Sequence, residues 1–292
     1  MNARALFMLV LLLLPMQALA QGFAGLGTQA GDFATPVPGR VLEFPAAHGA
    51  HPDYRIEWWY RPANMTGPDG RPYGLQWTLF RAALAPEDGQ GWDSPQLWLG
   101  HAAVTTPDAH FLSERLARGG IGQAGVVADP FSAWIDDWAM QGPDFETMRL
   151  TASGADFAYD VQLAATGPLV LHGQDGYSVK SGAGQASYYY SHPFFDLSGT
   201  LTLPEGEIEV TGRAWLDREW SSQPLAGDQT GWDWFSLSFD SGDKLMGFIL
   251  RGSSDYTAGT WITADGQTTA LPDGAFGAVP LHWHRVAGGG CP

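Results

Sequence analysis

The sequence predicts an all-β protein, and three features support this prediction. Clusters of Gly, Pro, Asp, Asn and Ser divide the chain into short segments, and apolar and polar residues alternate within these segments with a period of two. One such segment places Phe157, Tyr159, Val161 and Leu163 on a single face. The chain also contains 13 tryptophans, which recur inside the expected strands. Short alternating strands of this kind favour a barrel or a sandwich over an α/β fold.

The first twenty residues have the layout of a secretory signal peptide. Asn2 and Arg4 form a short polar region, residues 6–14 form an apolar core, and Ala18 to Ala20 provide a small-residue cleavage site. The apolar core is too short for a membrane-spanning helix. We therefore expect cleavage after Ala20 and an exported protein, periplasmic or secreted, that is soluble once the signal peptide is removed.

An irregular arm and a single short helix are expected before the main β-rich region and within it. Residues 21–50 are rich in Gly, Ala and Pro, which is typical of an irregular N-terminal arm. The one segment with a helical pattern is Leu112–Gly120, which ends in two glycines. The remaining segments predict strands.

The chain from residue 51 onward divides into two expected halves, residues 51–198 and residues 199–292. Near the boundary the aromatic density falls, and residues 199–212 predict a new hairpin with a Pro-Glu-Gly turn. In that hairpin Leu201 and Leu203 oppose Ile208 and Val210. The similar segments IEWWY and WDWFS open the two halves, so a distant duplication of a barrel is compatible with the sequence. The second half is short for a closed barrel.

Charge and cysteine content limit the partners and the source of stability. The net charge of −16 makes nucleic acid and anionic lipid headgroups poor candidates for binding. The single cysteine, Cys291, leaves no internal disulfide to be formed. Stability must therefore come from a packed core.

Several common chemistries have no signature in the sequence. There is no phosphate-binding glycine loop, no dinucleotide fingerprint and no Gly-x-Ser-x-Gly nucleophile elbow. His282 and His284 have a spacing that suits metal ligands on a strand, but a third ligand is not evident. We therefore predict neither a cofactor nor a metal ion.

The segment GRAWLDREW carries the strongest candidate for chemistry. In a strand, Trp215, Asp217 and Glu219 project to the same face, and the two acids stand roughly 7 Å apart along the strand. Their mutual repulsion beside a tryptophan leaves one of them more readily protonated. A protonated acid among aromatic rings can donate a proton to a weakly basic group. In the competing interpretation the acids are structural and pair with Arg213 or Arg218.

Tyr188 and Tyr190 are further candidates for the catalytic site. In the segment SYYYS they share one face, with Tyr189 on the other. Phenol rings can orient a substrate or stabilise positive charge through their faces. In the competing interpretation these tyrosines pack the wall of a barrel.

Two other segments set acids among aromatic residues and predict substrate contacts. Glu57 shares a strand face with Trp59, and Asp233 lies between Trp232 and Trp234. We identify Glu57, Trp59, Trp232 and Trp234 as candidate substrate-binding residues. The alternative for each acid is a structural role with a hydrogen bond to a neighbouring strand.

Four motifs together resemble one known family. RIEWWY, SYYYS, AWLDREWSSQ and GWDWFSLSF, in this order and spacing, are similar to the hydroxyneurosporene synthase family, which includes carotenoid 1,2-hydratases and AttH-like secreted proteins. The resemblance runs from about residue 40 to about residue 284. It implies two lipocalin-like (calycin) antiparallel β-barrels in tandem, the second truncated at its C-terminus, and an apolar cavity for an isoprenoid or another lipid-like molecule.

The resemblance implies two different functions. One is hydration of an isolated C=C bond without a cofactor, with Asp217 in the place of the family's proton-donating aspartate. Trp215 stands where the hydratases carry a tyrosine, and Tyr188 and Tyr190 fall near a His-x-Trp pair of the hydratases. The other is a non-catalytic carrier of a hydrophobic ligand in the cell envelope, with transporter components such as those of an ABC system as partners.

Overall fold

The computed structural model describes residues 32–223, 225–286 and 289–291. The predicted signal peptide, its cleavage site and the arm up to residue 31 lie outside the described residues. The described helical content consists of two short 3-10 segments, Ala46–His48 and Gly91–Asp93. The all-β prediction is confirmed. Among the described residues no helix is long and apolar enough to span a membrane.

Thirteen strands form one large antiparallel sheet. They are β1 (Ile56–Thr66), β2 (Pro72–Ala83), β3 (Gln96–Thr105), β4 (His110–Arg118), β5 (Ala124–Val127), β6 (Ser132–Ile135), β7 (Trp138–Gln141), β8 (Thr147–Ser153), β9 (Ala158–Ala165), β10 (Val170–Leu171), β11 (Tyr177–Val179), β12 (Ala186–Leu203) and β13 (Gly206–Ser221). Their order is β4-β3-β2-β1-β13-β12-β9-β8-β7-β6-β5, with β10 and β11 also paired to β12. The sheet curls until β2, β3 and β4 approach β6, which makes a nearly closed barrel.

The strands after β13 form two smaller sheets. β14 (Gly231–Ser238), β15 (Lys244–Arg251), β16 (Tyr256–Ile262) and β17 (Thr268–Leu271) make a four-stranded antiparallel sheet, and β18 (His284–Val286) pairs with β19 (Gly289–Cys291). The tandem of two lipocalin-like barrels is therefore not confirmed. β13 and the end of β12 pair with β1 and β9 in the large sheet.

The boundary expected after residue 198 lies inside β12, which continues to Leu203. The hairpin predicted at this point is confirmed, since Leu201 pairs with Ile208 and β12 and β13 meet at a turn. The division of the chain into two lipocalin-like domains stays a prediction.

The helix predicted over Leu112–Gly120 is wrong, because this segment is strand β4. It pairs along its whole length with β3, with Val104 opposite Phe111 and Leu99 opposite Leu116. Leu112 and Leu116 both lie exposed on the outside of the barrel. Pairing with an adjacent strand has overridden the local pattern.

Large side chains fill the inside of the barrel. Trp59, Trp77, Trp138 and Trp220 are completely buried there. Each lies on a strand whose alternate residues face outward, as the period of two requires. A cavity lies on the other side of this wall, against the outer face of β1, β12 and β13.

Gly100 in β3 marks the place where the barrel closes. A Cβ atom on this residue would lie 2.7 Å from Cγ2 of Ile135 and 3.3 Å from the Trp138 ring. The end of β6 and the start of β7 therefore approach the backbone of β3 more closely than any side chain there would allow. Gly74 in the neighbouring strand has more room, because its nearest contact would be Cβ of Thr105 at 3.4 Å.

We predict that Gly100→Ala lowers the free energy of unfolding by about 1–3 kcal/mol, because it overpacks the closing contact. Gly74→Ala is the matched control and should change the free energy by less than about 0.5 kcal/mol. Urea denaturation of both variants measures the difference. Equal stabilities would show that the barrel edges do not press on Gly100.

Candidate ligand pocket and its buried acid

A cavity of about 400 Å³ lies between the large sheet and the four-stranded sheet. Its floor is the outer face of β1, β12 and β13, and its roof is formed by β14 and β15. The residues that line it are mostly aromatic or aliphatic, with a few polar groups. The principal ones are Trp58, Tyr60, Phe80, Lys180, Tyr189, Asp217, Glu219, Trp232, Trp234, Phe248 and Leu250.

The alternation of β13 decides which side chains reach this cavity. Asp217 and Glu219 point outward into the pocket, while Arg218 and Trp220 point into the barrel and are completely buried. β1 follows the same pattern, and its Tyr60 is directly opposite Asp217. The face assignment made from the sequence for β13 is therefore confirmed.

Asp217 is a buried acid held by neutral hydrogen-bond donors. Its side chain is only 2% exposed. Trp215 donates from Nε1 to Oδ1 at 2.7 Å, and the Ser191 hydroxyl donates to the same oxygen. Burial raises the pKa of Asp217 to about 7, and the charge of Glu219 adds to this rise, while hydrogen bonds from Ser191, Trp215 and Tyr189 oppose it. At neutral pH a large fraction of this carboxyl group carries a proton.

A line of hydrogen bonds connects Asp217 to the four-stranded sheet. His172 Nε2 lies 2.6 Å from the Ser191 hydroxyl, and its Nδ1 lies 2.9 Å from the Thr260 hydroxyl on β16. Burial, together with the charge of Lys180, lowers the pKa of His172 to about 3, so the ring is neutral. Since Ser191 donates to Asp217, the consistent arrangement has Nε2–H donating to Ser191 and Thr260 donating to Nδ1.

This order of groups differs from that of a hydrolase triad. In a triad the histidine lies between the acid and the serine and removes the serine proton. Here Ser191 lies between His172 and Asp217, and its proton already points to the carboxyl group. The arrangement positions Asp217 and does not activate a nucleophile.

The second acid of β13, Glu219, is paired. Lys180 Nζ lies 2.8 Å from its Oε1, and Ser187 donates to the same oxygen. The Lys180 ammonium also lies over the rings of Tyr189 and Phe248, 4.6 and 4.3 Å from their centroids. The sequence alternative, in which Arg213 or Arg218 neutralises these acids, is not what the structure shows. The partner of Glu219 is Lys180.

Aromatic rings surround Asp217 on the pocket side. The Tyr189 hydroxyl accepts a hydrogen bond from Trp234 Nε1 at 3.0 Å. Tyr60 packs edge-to-face on Trp234 with ring centroids 5.3 Å apart. Burial and the charge of Asp217 raise the pKa of Tyr60 to about 12. The phenols of this group therefore remain neutral, and the ring of Tyr189 already faces the Lys180 ammonium.

Tyr188 and Tyr190 were expected near Asp217, but the structure places them on the opposite side of the sheet. Tyr190 pairs with Arg218 in the register of β12 and β13, and directly paired residues share a face. The Tyr190 hydroxyl lies 2.7 Å from His48 Nδ1 inside the barrel, and Tyr188 is also part of the barrel core. Tyr189 is the tyrosine that reaches the pocket, because it pairs with Glu219.

Glu57 and Trp59 also belong chiefly to the barrel. Glu57 borders the pocket, but its carboxylate is completely buried between Arg81 and Arg218. Burial favours the neutral acid, yet the charges of Arg81 and Arg218 hold the pKa of Glu57 well below its usual range. Trp59 donates to the His48 carbonyl at 2.9 Å, and Arg218 stacks on its ring. These contacts are those of the structural alternative, and a role of Glu57 in substrate binding stays a prediction.

Trp232 and Trp234 line the pocket as expected of substrate-binding residues. Trp234 is half-buried next to Tyr60, whereas Trp232 is 49% exposed at the rim. Asp233, on the other face of β14, pairs with Arg251 at 2.8 Å. Nothing in the sequence predicts that Trp232 lies at the rim and Trp234 deeper in the pocket.

The described residues contain no cluster of three or more His, Cys, Asp or Glu side chains able to hold a metal ion. His282 is exposed, and the side chain of His284 lies outside the described set. The polar groups of the pocket are a carboxyl group, an ion pair and several hydroxyls.

Comparisons with known proteins agree with this architecture. A sequence model of the family described as AttH-like matches residues 35–291. The crystal structure of an AttH candidate from Nitrosomonas europaea has 36% sequence identity and a TM-score of 0.79, and the match covers 87% of this chain and 80% of that one. Kievitone hydratase from Nectria haematococca, at 14% identity and a TM-score of 0.55, shares the fold over 82% of this chain and 73% of that one. None of the curated proteins matches significantly.

The pKa of Asp217 predicts a particular dependence of stability on pH. Its folded-state pKa of about 7 lies above the ordinary value of 3.8, so the folded protein binds this proton more tightly than the unfolded chain. The contribution of Asp217 to stability therefore falls as the pH rises from about 4 through 7. Buried histidines with lowered pKa values, such as His172, contribute stability that rises with pH. This contribution is the same in the unmodified protein and in an Asp217 variant, so it cancels when the two are compared.

We predict that the unmodified protein loses about 3 kcal/mol of unfolding free energy relative to Asp217→Asn when the pH is raised from 5 to 8. Urea denaturation at both pH values measures this. Asp160→Asn is the control, because Asp160 is exposed and its bond with Arg149 lowers its pKa, so its difference from the unmodified protein should stay constant. A constant difference for Asp217→Asn as well would mean that Asp217 is ionised throughout.

Proposed function

Because this chain belongs to the AttH-like family, we propose that it is a hydratase that adds water to an isolated C=C bond of an isoprenoid or another lipid-like molecule. The observation that carries the proposal is the buried acid in an apolar pocket: Asp217 lines the cavity and is 2% exposed, and burial raises its pKa to about 7. The name of kievitone hydratase associates a hydration reaction with the same fold, which supports the assignment.

The reaction needs one proton donor that is restored at the end. Asp217 gives its proton to the less substituted carbon of the double bond, so that an O–H bond breaks, a C–H bond forms and the π electrons are consumed. The resulting carbocation takes the oxygen of a water molecule, and a C–O bond forms. The surplus proton of that water returns to the Asp217 carboxylate, which completes the addition of H₂O without a cofactor.

The surroundings of Asp217 suit each step. Ser191 and Trp215 bond to the same carboxyl oxygen and so fix the direction of the group. The rings of Tyr60 and Trp234 border the cavity and can stabilise a carbocation through their faces. Trp215, which stands in the place of a tyrosine in the hydratases, is a donor only, so it cannot relay the proton.

The size of the pocket limits the substrate. A volume of about 400 Å³ is near the lower end of the range for pockets that enclose drug-sized ligands. A full-length carotenoid would extend out past the rim at Trp232. The proposal is therefore that the pocket takes a shorter isoprenoid, or one end of a longer chain.

A non-catalytic carrier is the second candidate function. The apolar lining comes from both sheets, and burial of apolar surface binds a hydrophobic ligand without any chemistry at Asp217. In this proposal the protein is exported and passes its ligand to envelope transporter components. Detection of the bound molecule by mass spectrometry after native purification identifies the ligand in either case.

We predict that Asp217→Asn abolishes hydration but retains binding. The amide keeps the shape of the acid and cannot donate a comparable proton. The assay incubates the protein with acyclic carotenoids and shorter terpenes bearing a trisubstituted terminal alkene in H₂¹⁸O, and mass spectrometry detects the labelled tertiary alcohol.

Activity of the unmodified protein should fall above pH 7, as Asp217 loses its proton. Asp160→Asn, on the outside of the barrel, should behave as the unmodified protein. Binding without product in the unmodified protein would favour the carrier. Turnover that survives in Asp217→Asn would remove Asp217 from the role of acid.

We further predict that Ser191→Ala raises the pKa of Asp217 by about one unit or more, because a hydrogen bond to a charged group contributes roughly 1.5–3 kcal/mol. The alkaline limit of activity should move upward by the same amount, and ¹³C NMR of the carboxyl group follows the titration directly. Ser187→Ala removes the equivalent hydroxyl beside Glu219 and should leave this titration in place. Identical shifts in both variants would mean that Ser191 has no specific role.

A further inference from the structure

Arg61 is a completely buried cation whose terminal nitrogens have no partner. It lies on β1 and points into the barrel, and its side chain is 0% exposed. Its Nε donates to Sδ of Met140 at 3.2 Å, and its guanidinium stacks 4.3 Å from the ring centroid of Phe195. Nη1 and Nη2 make no hydrogen bond within the described chain. Two strong donors are therefore left unsatisfied in a dry interior.

The other buried arginines of the barrel are compensated. Arg81 and Arg218 both pair with Glu57, and their remaining Nη groups donate to backbone carbonyls or side chains. Among the described residues, Glu57 is the one fully buried carboxylate that faces the barrel interior, because Asp217 and Glu219 face the pocket. Three guanidinium groups thus share one negative charge. An uncompensated buried ion is costly, and Arg61 is the one without a counter-charge.

Two further unsatisfied groups lie beside Arg61. Trp77 is its direct partner across β1 and β2, and the Trp77 Nε1 donor is buried without an acceptor. His192 packs on the same Phe195 ring, with centroids 4.2 Å apart, and its Nδ1 is also buried and unpaired. Burial, with the charge of Arg61, lowers the pKa of His192 to about 3. The ring is therefore neutral and can donate from Nδ1.

We propose that Arg61, Trp77 and His192 form a binding site for a small monovalent anion inside the barrel. A planar guanidinium with two free Nη groups binds a carboxylate such as formate in a bidentate manner, and the same set of donors fits a halide. The site is separate from the pocket of Asp217, because the barrel wall lies between them. Bound anion supplies the negative charge that the interior lacks and so stabilises the folded state.

The first test compares the thermal unfolding of the purified protein in sodium chloride, sodium formate and sodium gluconate at equal ionic strength. Gluconate is too large for an enclosed site and serves as the reference. We expect the unfolding temperature to rise by at least about 5 °C when the preferred anion reaches a hundred times its dissociation constant. A rise with chloride alone identifies a halide site, and a rise with formate identifies a carboxylate site.

The matched variants are Arg61→Met and Arg149→Met. Arg61→Met removes the buried charge and should abolish the anion-dependent rise. It should also unfold at a temperature equal to or above that of the unmodified protein in gluconate, because no uncompensated cation remains. Arg149 is exposed and paired with Asp160, so Arg149→Met should keep the full response.

A direct measurement covers the case in which Arg61→Met does not fold. Crystals of the unmodified protein grown or soaked in sodium bromide should show an anomalous peak within hydrogen-bonding distance of Arg61 Nη1 or Nη2, or formate density there from formate solutions. Water alone at Arg61 in both crystals, together with equal unfolding temperatures in the three salts, overturns the proposal. An anion-dependent rise that persists in Arg61→Met overturns it as well.

Discussion

The ion pairs of Glu57 with Arg81 and Arg218 determine how strands β1, β2 and β13 align in the central wall of the barrel. Arg81 lies on β2, Glu57 on β1 and Arg218 on β13, so one buried carboxylate connects three adjacent strands. A shift of any of these strands by one residue would reverse its faces. It would leave Glu57 buried without its cations, which is strongly unfavourable. The network therefore specifies the register of the wall.

That register also decides where Asp217 lies. Because Arg218 must face Glu57 inside the barrel, the residues on either side of it must face outward. Asp217 and Glu219 are thereby directed to the surface that the four-stranded sheet covers. The cover excludes water from Asp217, and Thr260 of the same sheet contacts the hydrogen-bonded line that begins at His172. The position of the acid thus follows from a charge network on the other side of the wall.

The sequence predicts the features that depend on a single strand and fails where two strands must be aligned. Alternation along β13 correctly placed Asp217 and Glu219 together. Alternation along β12 correctly separated Tyr189 from its two neighbours, but only the pairing of Tyr189 with Glu219 shows which of them reaches the pocket. Asp217 could be identified as a candidate from its neighbours in sequence. His172 could not, because its partners, Ser191 and Thr260, are distant along the chain.

The same limit explains the error at the level of the fold. The segment around Leu112 and Leu116 has a helical spacing, and only the presence of β3 beside it makes it a strand. The second barrel, which the family resemblance implies, is not confirmed and is not an error of this kind. The pairing of β13 with β1 uses those strands to build the first barrel. Local patterns contain no information about which edge a strand will join.

Glu57 and Asp217 show that burial alone does not set the protonation of an acid. Both are almost completely inaccessible to water, and they lie on opposite faces of one wall. The pKa of Glu57 is low because, against the effect of its burial, two arginines surround it, whereas the pKa of Asp217 is raised by burial among neutral donors that lower it only in part.

Lys180 is the cation that could have changed this outcome, since it borders the same pocket. Its ammonium is bound to Glu219 at 2.8 Å. The negative charge of Glu219 raises the pKa of Asp217, and its ion pair occupies the Lys180 ammonium. The two acids of β13 therefore have different surroundings, since Glu219 pairs with Lys180 and Asp217 is held by neutral donors.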